Sequence, residues 1–312
     1  MAKSLTSHRP ALAVGLKLLA LLLFTIMAAL IKATSDDVPP GEAVFFRSLF
    51  AIPVIFAWLA YRGEIVGGVR VRNLRGHVLR GVLGTSAMAL SFAGLGLLPL
   101  PDVTAIGYAA PIFTVVLAAI FLGERIRLVR ISAVAIGLLG VMIMIWPRLS
   151  TSADWEDGAA LGAIMILVAT LGRACVQIQV RQLVQTDTTA AIVFWFSMTA
   201  TTLSLFTLPF GWVVPSGQTA ALLIGAGLLG GVAQILVTSS FRYAPASMLA
   251  PYDYSTMLFA IVIGFVWFGE LPTVLMLLGA TLVIGGNVLV IWREHQLGLE
   301  RGKARSLMDP KS

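Results

Sequence analysis

The sequence predicts an all-α integral membrane protein of ten transmembrane helices arranged as two inverted five-helix repeats. Three observations carry this. Hydrophobic residues make up 58 % of the 312 and charged residues only 12 %, and the mean hydropathy is +0.92, beyond the balance of a soluble globular chain. Apolar segments of ~20 residues, each able to cross a hydrocarbon core ~30 Å thick as a helix, recur along the whole chain. A shift of 146 residues sets the stretch 104–124 on the stretch ending at Glu270, so that Tyr108 meets Tyr254, Phe113 meets Phe259 and Gly123-Glu124 meets Gly269-Glu270.

The spans are 11–31, 42–60, 77–98, 101–122, 129–146, 158–178, 188–208, 218–238, 245–268 and 272–292. The first follows Lys3 and Arg9 and is long for a secretory leader, so it reads as an uncleaved helix. The second carries Phe46-Arg47 near its start, the third Arg80, Ser86 and Ser91, and the fourth Tyr108 and Pro111. The fifth carries Arg130 and Ser132 at its start and has no charged residue after them. Gly158-x-x-x-Gly162 opens the sixth, a spacing for close helix contact; Arg173 lies within it, Gln177 at its end and Gln179 just beyond. Trp195 stands in the seventh, Gly227-x-x-x-Gly231 and Gln234 in the eighth, the stretch "LAPYDYSTM" in the ninth and Asn287 in the tenth. Residues 1–150 then form the first repeat, 151–292 the second and 293–312 a basic tail.

Because five is odd, the second repeat must enter the membrane from the opposite side, and the charges agree. Cytoplasmic loops collect Lys and Arg. The loop after the second span carries Arg62, Arg70, Arg72 and Arg75, whereas its counterpart after the seventh, "LPFGWVVPSG", has no basic residue. "GERIRLVR" after the fourth span has three arginines and its counterpart "GELPTV" none, while Arg293, Arg301, Lys303, Arg305 and Lys311 follow the tenth. The loops after the first and fifth spans hold Asp36, Asp37, Asp154, Glu156 and Asp157 against Lys32 and Arg148. Both termini are expected on the cytoplasmic side of the inner membrane.

Such a repeat is a recurring plan for secondary transporters, with a substrate site near the midplane where the halves meet. The formal charge of +7 sits in short loops beside apolar spans, not in a basic domain, so nucleic acid is not an expected partner. The expected partners are the lipid bilayer and a small-molecule substrate, with a homodimer as a further possibility. Cys175 is the single cysteine, so no internal disulfide forms, and no cofactor or metal is expected. His8, His77 and His295 fall in a terminus, a loop edge and a tail, and there is no GxxxxGK[ST], HExxH or GxSxG. An enzyme is therefore not expected; a membrane-embedded enzyme or an accessory subunit is the alternative from another class.

Lys17, Arg47, Arg80, Arg173 and Asp253 are ionisable groups inside the spans, where each carries an insertion cost of ~2.5–3.5 kcal/mol. Lys17 and Arg80 lie close enough to the cytoplasmic ends to snorkel. Arg47 is ~8 Å in from the outer end, at ~1.5 Å per residue. Asp253, ~12 Å into the ninth span, is near the midplane, two residues after Pro251, which is expected to kink the helix. Arg173 is comparably deep, and the two either neutralise one another or serve substrate and proton. Tyr108, Trp195, Tyr252 and Tyr254 supply aromatic surface at this level, and Gln177 a neutral hydrogen-bonding group. These eight, Arg47 included, form the candidate substrate-binding set.

Phe46-Arg47, "YAAPIFTVVLAAIFLGER" across the fourth span and the second "FGE" at 268–270 resemble the drug/metabolite transporter superfamily, specifically its ten-helix EamA-type members, over nearly all of the chain. The resemblance implies a helical carrier with a central cavity, in which Arg47, Pro111, Glu124 and Glu270 match pattern positions and the glutamates hold helix ends and loops. One departure is that Met257 stands where the first half has Pro111. "FRSLFAIP", "RGVLGTSAM" and "GLGLLPLPDVTAIGYAAP" are similar to a bacterial subgroup that includes riboflavin transporters. That makes riboflavin the first candidate substrate, with export of amino acids or other metabolites and drugs as the alternative.

Overall fold

The computed structural model describes residues 9–110, 112–113, 116–117, 128–150, 158–183, 186–243, 249–286 and 288–289. Among them every regular element is helical. α1 (Pro10–Lys32) is one apolar helix with proline in its first turn, where the backbone has no intrahelical acceptor for an N–H in any case. The second span divides at Phe50 into α2 (Pro40–Leu49) and α3 (Ala51–Tyr61). Pro53 has no N–H for the Leu49 carbonyl, which loosens the helix one turn upstream. α4 (Leu74–Leu97) starts at Asn73, whose side chain accepts the Gly76 N–H at 3.0 Å.

The fourth span opens as α5 (Leu100–Gly107), turns at Tyr108–Ala109 and is helical again at 110, 112–113 and 116–117. α6 (Leu128–Ser150), α7 (Ala159–Leu183), α8 (Thr189–Leu205) and α9 (Gly217–Tyr243) follow. Thr188 caps α8 by accepting the Ala191 N–H at 3.2 Å. The ninth span is a 3-10 turn, Ala250–Tyr254, leading into α10 (Ser255–Phe268), and the tenth is α11 (Val274–Gly286). α10 stops at Gly269, whose φ of 67° is left-handed backbone that suits glycine.

The fourth span, expected as one continuous helix, breaks at Tyr108–Ala109, and the ninth, expected to kink at Pro251, is interrupted at the equivalent place in the repeat. Residue 111, outside the described residues, is a proline with no N–H for the Gly107 carbonyl, and Pro251 is likewise unable to donate. Asp253 therefore lies in a 3-10 turn immediately before α10, not eight residues along an α-helix. Broken backbone at membrane depth is tolerated where it is buried in protein or lines a cavity.

The packing respects the repeat. α1 lies along α9 and α7 along α4, which is one pairing and its symmetry mate. α10 packs on α1 as α5 packs on α7, and the two broken spans pack on each other. The halves are thus interleaved. Gly162 meets Leu97 and the Gly94 carbonyl, and Gly227 and Gly231 lie against α2 and α3, so both small-residue motifs are close helix contacts. Away from the centre, a methyl on Gly140 or Gly279 would strike the other's carbonyl oxygen, at 2.6 and 2.5 Å. α6 and α11 therefore touch backbone to backbone.

Candidate functional site

The break in the ninth span turns Asp253 toward the first helix. Its carboxylate is 2.7 Å from the Lys17 ammonium; the Lys17 side chain is 6 % accessible and that of Asp253 46 %. This corrects the snorkelling expected of Lys17: its charge is met inside the protein by a carboxylate with one side open. It also answers the question left between Asp253 and Arg173, because the cation on Asp253 comes from α1. A sequence search for pairs along one helix or within one half had no means of finding a partner 236 positions away.

Tyr108 joins the two breaks. Its hydroxyl is 2.7 Å from the Thr256 hydroxyl and 3.1 Å from the Tyr254 carbonyl, and its ring meets that of Tyr254 edge to face at 5.3 Å. Thr256 in turn donates to the Asp253 carbonyl at 2.6 Å. The tyrosines matched by the repeat are in contact, so the pseudo-symmetric halves meet at this point. Tyr252 is half-buried in the same turn.

Arg173 approaches the other break. Its guanidinium donates to the Thr170 hydroxyl at 2.7 Å and lies 3.2 Å from where a Cβ on Gly107 would be. Gly107 is the repeat equivalent of Asp253. A cation therefore faces each break, Lys17 from α1 and Arg173 from α7, but only one break supplies a carboxylate. Among the described residues no carboxylate pairs with Arg173, and unlike Lys17 it is exposed, although it stands on a helix packed against α4, α5 and α6.

Arg47 is 5 % and Arg80 7 % exposed, so neither snorkels. They converge on one ring: the guanidinium carbon is 5.7 Å from the Phe196 centroid for Arg47 and 4.6 Å for Arg80. Glycines make the room, since Gly84 is in contact with Phe196 and Gly230 with Arg47. Arg80 donates to the Ile192 carbonyl at 3.3 Å, and both Nε atoms are buried with no hydrogen-bond partner. A cation–π contact is worth ~0.5–2 kcal/mol, whereas burying an ion costs several kcal/mol even after relaxation. The ring alone does not balance two charges.

Trp195 is placed elsewhere: its indole donates to the Val69 carbonyl at 2.9 Å and its ring meets Phe194. The Gln177 side chain, Pro111, Glu124, Asn287 and the acidic residues 154–157 lie outside the described residues. Gln179 has a buried Oε1 without a hydrogen-bond partner.

Ties close both ends of the bundle. At one end Lys32 pairs with Glu270 at 3.0 Å and donates to the Leu98 and Leu95 carbonyls at 2.6 and 3.2 Å, while Glu270 accepts the Leu100 N–H at 2.8 Å. The glutamate thus holds the start of α5, the role expected for it. Glu42, buried at the start of α2, accepts the Val213 N–H at 3.1 Å. A cavity of about 130 Å³ between α1, α2 and α4 opens here beside Asp36 and Phe92, and neither Lys17 nor Asp253 lines it.

At the opposite end His77, expected at a loop edge, is buried in the first turn of α4 and 3.2 Å from Asp187, each side chain 1 % accessible. Burial pushes the Asp187 carboxyl up, but the Arg72 N–H at 2.7 Å, His77 and the Thr186 hydroxyl at 3.0 Å more than offset it and hold the group below the usual carboxylate range.

The profile of the EamA-like transporter family matches residues 11–146 and 160–292. The chain is 28 % identical over 273 residues to the pseudopaline exporter of Pseudomonas aeruginosa, covering 86 % of this chain and 92 % of that one. It is 28 % identical over 257 residues to the riboflavin transporter of Rhizobium johnstonii, 82 % of each chain. It is 24 % identical over 279 residues to the S-adenosylmethionine uptake transporter of Rickettsia prowazekii, covering 89 % and 92 %. A crystal structure at 18 % identity superposes with a TM-score of 0.63 over 90 % of this chain and 97 % of that one, a likeness of fold.

Proposed function

Because the chain belongs to the EamA-like transporter family, we propose that it is a secondary carrier that moves a small, partly polar organic metabolite across the inner membrane by alternating access. The observation that supports this best is the meeting of two broken spans at Tyr108 and Tyr254, flanked by the Lys17–Asp253 pair and by Arg173. Broken helices meeting at a repeat interface put polar backbone and ionisable groups where a substrate is handled. In this reading Asp253, Arg173, Tyr108, Tyr252 and Tyr254 contact substrate, and the halves, divided near residue 150, rock about that point with both termini cytoplasmic. Substrate or a proton competes with Lys17 for the open side of Asp253, which links binding to the contact between α1 and the ninth span.

Riboflavin is the first candidate: its ring system suits the tyrosines and its hydroxyls suit Asp253 and Arg173. A second reading, export of an amino-acid-like metabolite, is favoured by Arg173, a cation facing Gly107 with no carboxylate among the described residues. The test is uptake and counterflow in proteoliposomes with labelled riboflavin, S-adenosylmethionine and an amino-acid panel, with and without a pH gradient. Movement of one of these, lost in Asp253→Asn, supports the carrier and its site. Movement unchanged in that variant removes Asp253 from the mechanism, and no movement of any compound counts against the carrier.

A further inference from the structure

We propose that Arg47, Phe196 and Arg80 form an anion site, and that the carrier's substrate includes an organic anion whose carboxylate or phosphate oxygens bind between the two guanidinium groups. The inference rests on the carrier reading for the identity of the ligand as cargo, and it favours the amino-acid-like substrate over riboflavin, which carries neither a carboxylate nor a phosphate. It starts from three observations. Arg47 from α2 and Arg80 from α4 lie 5.7 and 4.6 Å from the centroid of the same ring on α8. Both are more than nine-tenths buried, and both present an Nε–H that has no acceptor. Among the described residues no carboxylate pairs with either.

Buried donors without acceptors are uncommon enough to require a reason. Arg47 and Arg80 repel each other, and a fold that needed only bulk there would be served by apolar side chains. On the same three helices Ser48, Ser197 and Thr85 also have buried hydroxyls without a hydrogen-bond partner. A guanidinium offers a flat fork that takes two oxygens at once, the geometry of a carboxylate or a phosphate. Two forks with a ring between them make a receptor for an oxyanion carried on an organic body. The site draws on α2 and α4 of the first half and α8 of the second, so relative movement of the halves opens and closes it.

The test measures binding apart from transport. Full-length protein in neutral-lipid nanodiscs is titrated with succinate, with inorganic phosphate and with succinamide, the uncharged analogue, at constant ionic strength, and the melting temperature is followed. The expected result is stabilisation by at least one anion and none by succinamide, with apparent affinity falling about tenfold or more in Arg47→Gln and in Arg80→Gln. Succinate against phosphate distinguishes the two oxyanions. Arg47→Lys and Arg80→Lys serve if the glutamine variants do not fold, and they too are expected to weaken binding because the fork is lost. Equal shifts with succinamide, or anion affinity unchanged in all four variants, overturn the proposal. The same proteoliposomes separate it from the carrier reading. Anion binding without movement of any compound leaves the site standing and sinks the carrier, whereas movement of a neutral metabolite with no anion binding does the reverse.

Discussion

The Lys17 ammonium lies 2.7 Å from the Asp253 carboxylate and ties the first span to the break in the ninth. Asp253→Asn takes that charge away from a buried lysine, and a hydrogen bond to a charged group is worth about 1.5–3 kcal/mol. The expected outcome is a lower melting temperature together with a transport rate reduced about tenfold or more. Replacing both partners, Lys17→Met with Asp253→Leu, is expected to recover much of the stability and none of the transport, because an apolar pair avoids burying charge. Recovery of transport in the double variant would falsify a functional role for the pair.

Tyr108→Phe keeps the ring against Tyr254 and removes only the hydroxyl that reaches Thr256 and the Tyr254 carbonyl. A loss of about 0.5–1.5 kcal/mol is expected. Tyr108→Ala removes the edge-to-face contact as well, a further 0.5–1.5 kcal/mol or so. Chemical denaturation of the two variants in parallel checks the order, and equal losses would show that the ring contact contributes nothing.

Glu270 both pairs with Lys32 and accepts the Leu100 N–H. In Glu270→Gln the hydrogen bond can persist while the charge pairing is lost, so the end of the bundle should loosen without unfolding. Hydrogen exchange at the start of α5 is expected to speed up about tenfold, the equivalent of ~1.4 kcal/mol. Exchange at α7 should not change. Uniform acceleration across the chain would mean that Glu270 supports the whole fold and not this end.

Asp187 is a carboxylate that the fold holds below its usual range, through the Arg72 N–H, His77 and Thr186, against the upward push of burial. A lowered folded-state value means that the unfolded chain binds the proton more tightly. The stabilisation is therefore fully present above the ordinary carboxylate range and is lost as pH falls through the lowered value. Asp187→Asn should melt lower than the wild type at neutral pH, and the gap should shrink on acidification below about pH 4. A gap that stays constant down to that pH would assign the effect to shape, not to charge.

Gly140 and Gly279 bring the α6 and α11 backbones together, each a methyl's width from the other's carbonyl. Alanine at either position forces a shift of main chain, a class of overpacking that costs about 1–3 kcal/mol. The double alanine variant should be worse than either single one, read as melting temperature in detergent. No loss in the double variant would show that the two helices can separate freely.

What the sequence by itself determined about this protein is whatever repeats along it. Hydropathy placed the spans, because each must satisfy its own backbone in a medium without water, and the self-match at 146 residues showed that Tyr108 and Tyr254 are counterparts. Glycine spacing marked close helix contacts, and the glutamate before the tenth span was read as a support for helix ends. What only the tertiary structure decided is which charge meets which. Lys17 read as a snorkelling end residue, and Arg173 either as a partner for Asp253 or as a substrate group; the interleaving of the halves put Lys17 on Asp253 and left Arg173 facing Gly107. Arg47 read as a candidate substrate residue and Arg80 as a snorkelling end charge, 33 positions apart and unconnected, until α8 carried Phe196 between them. Electrostatic energy falls with distance in space and takes no account of separation along the chain, so a linear reading sees the charges and only the packed helices pair them.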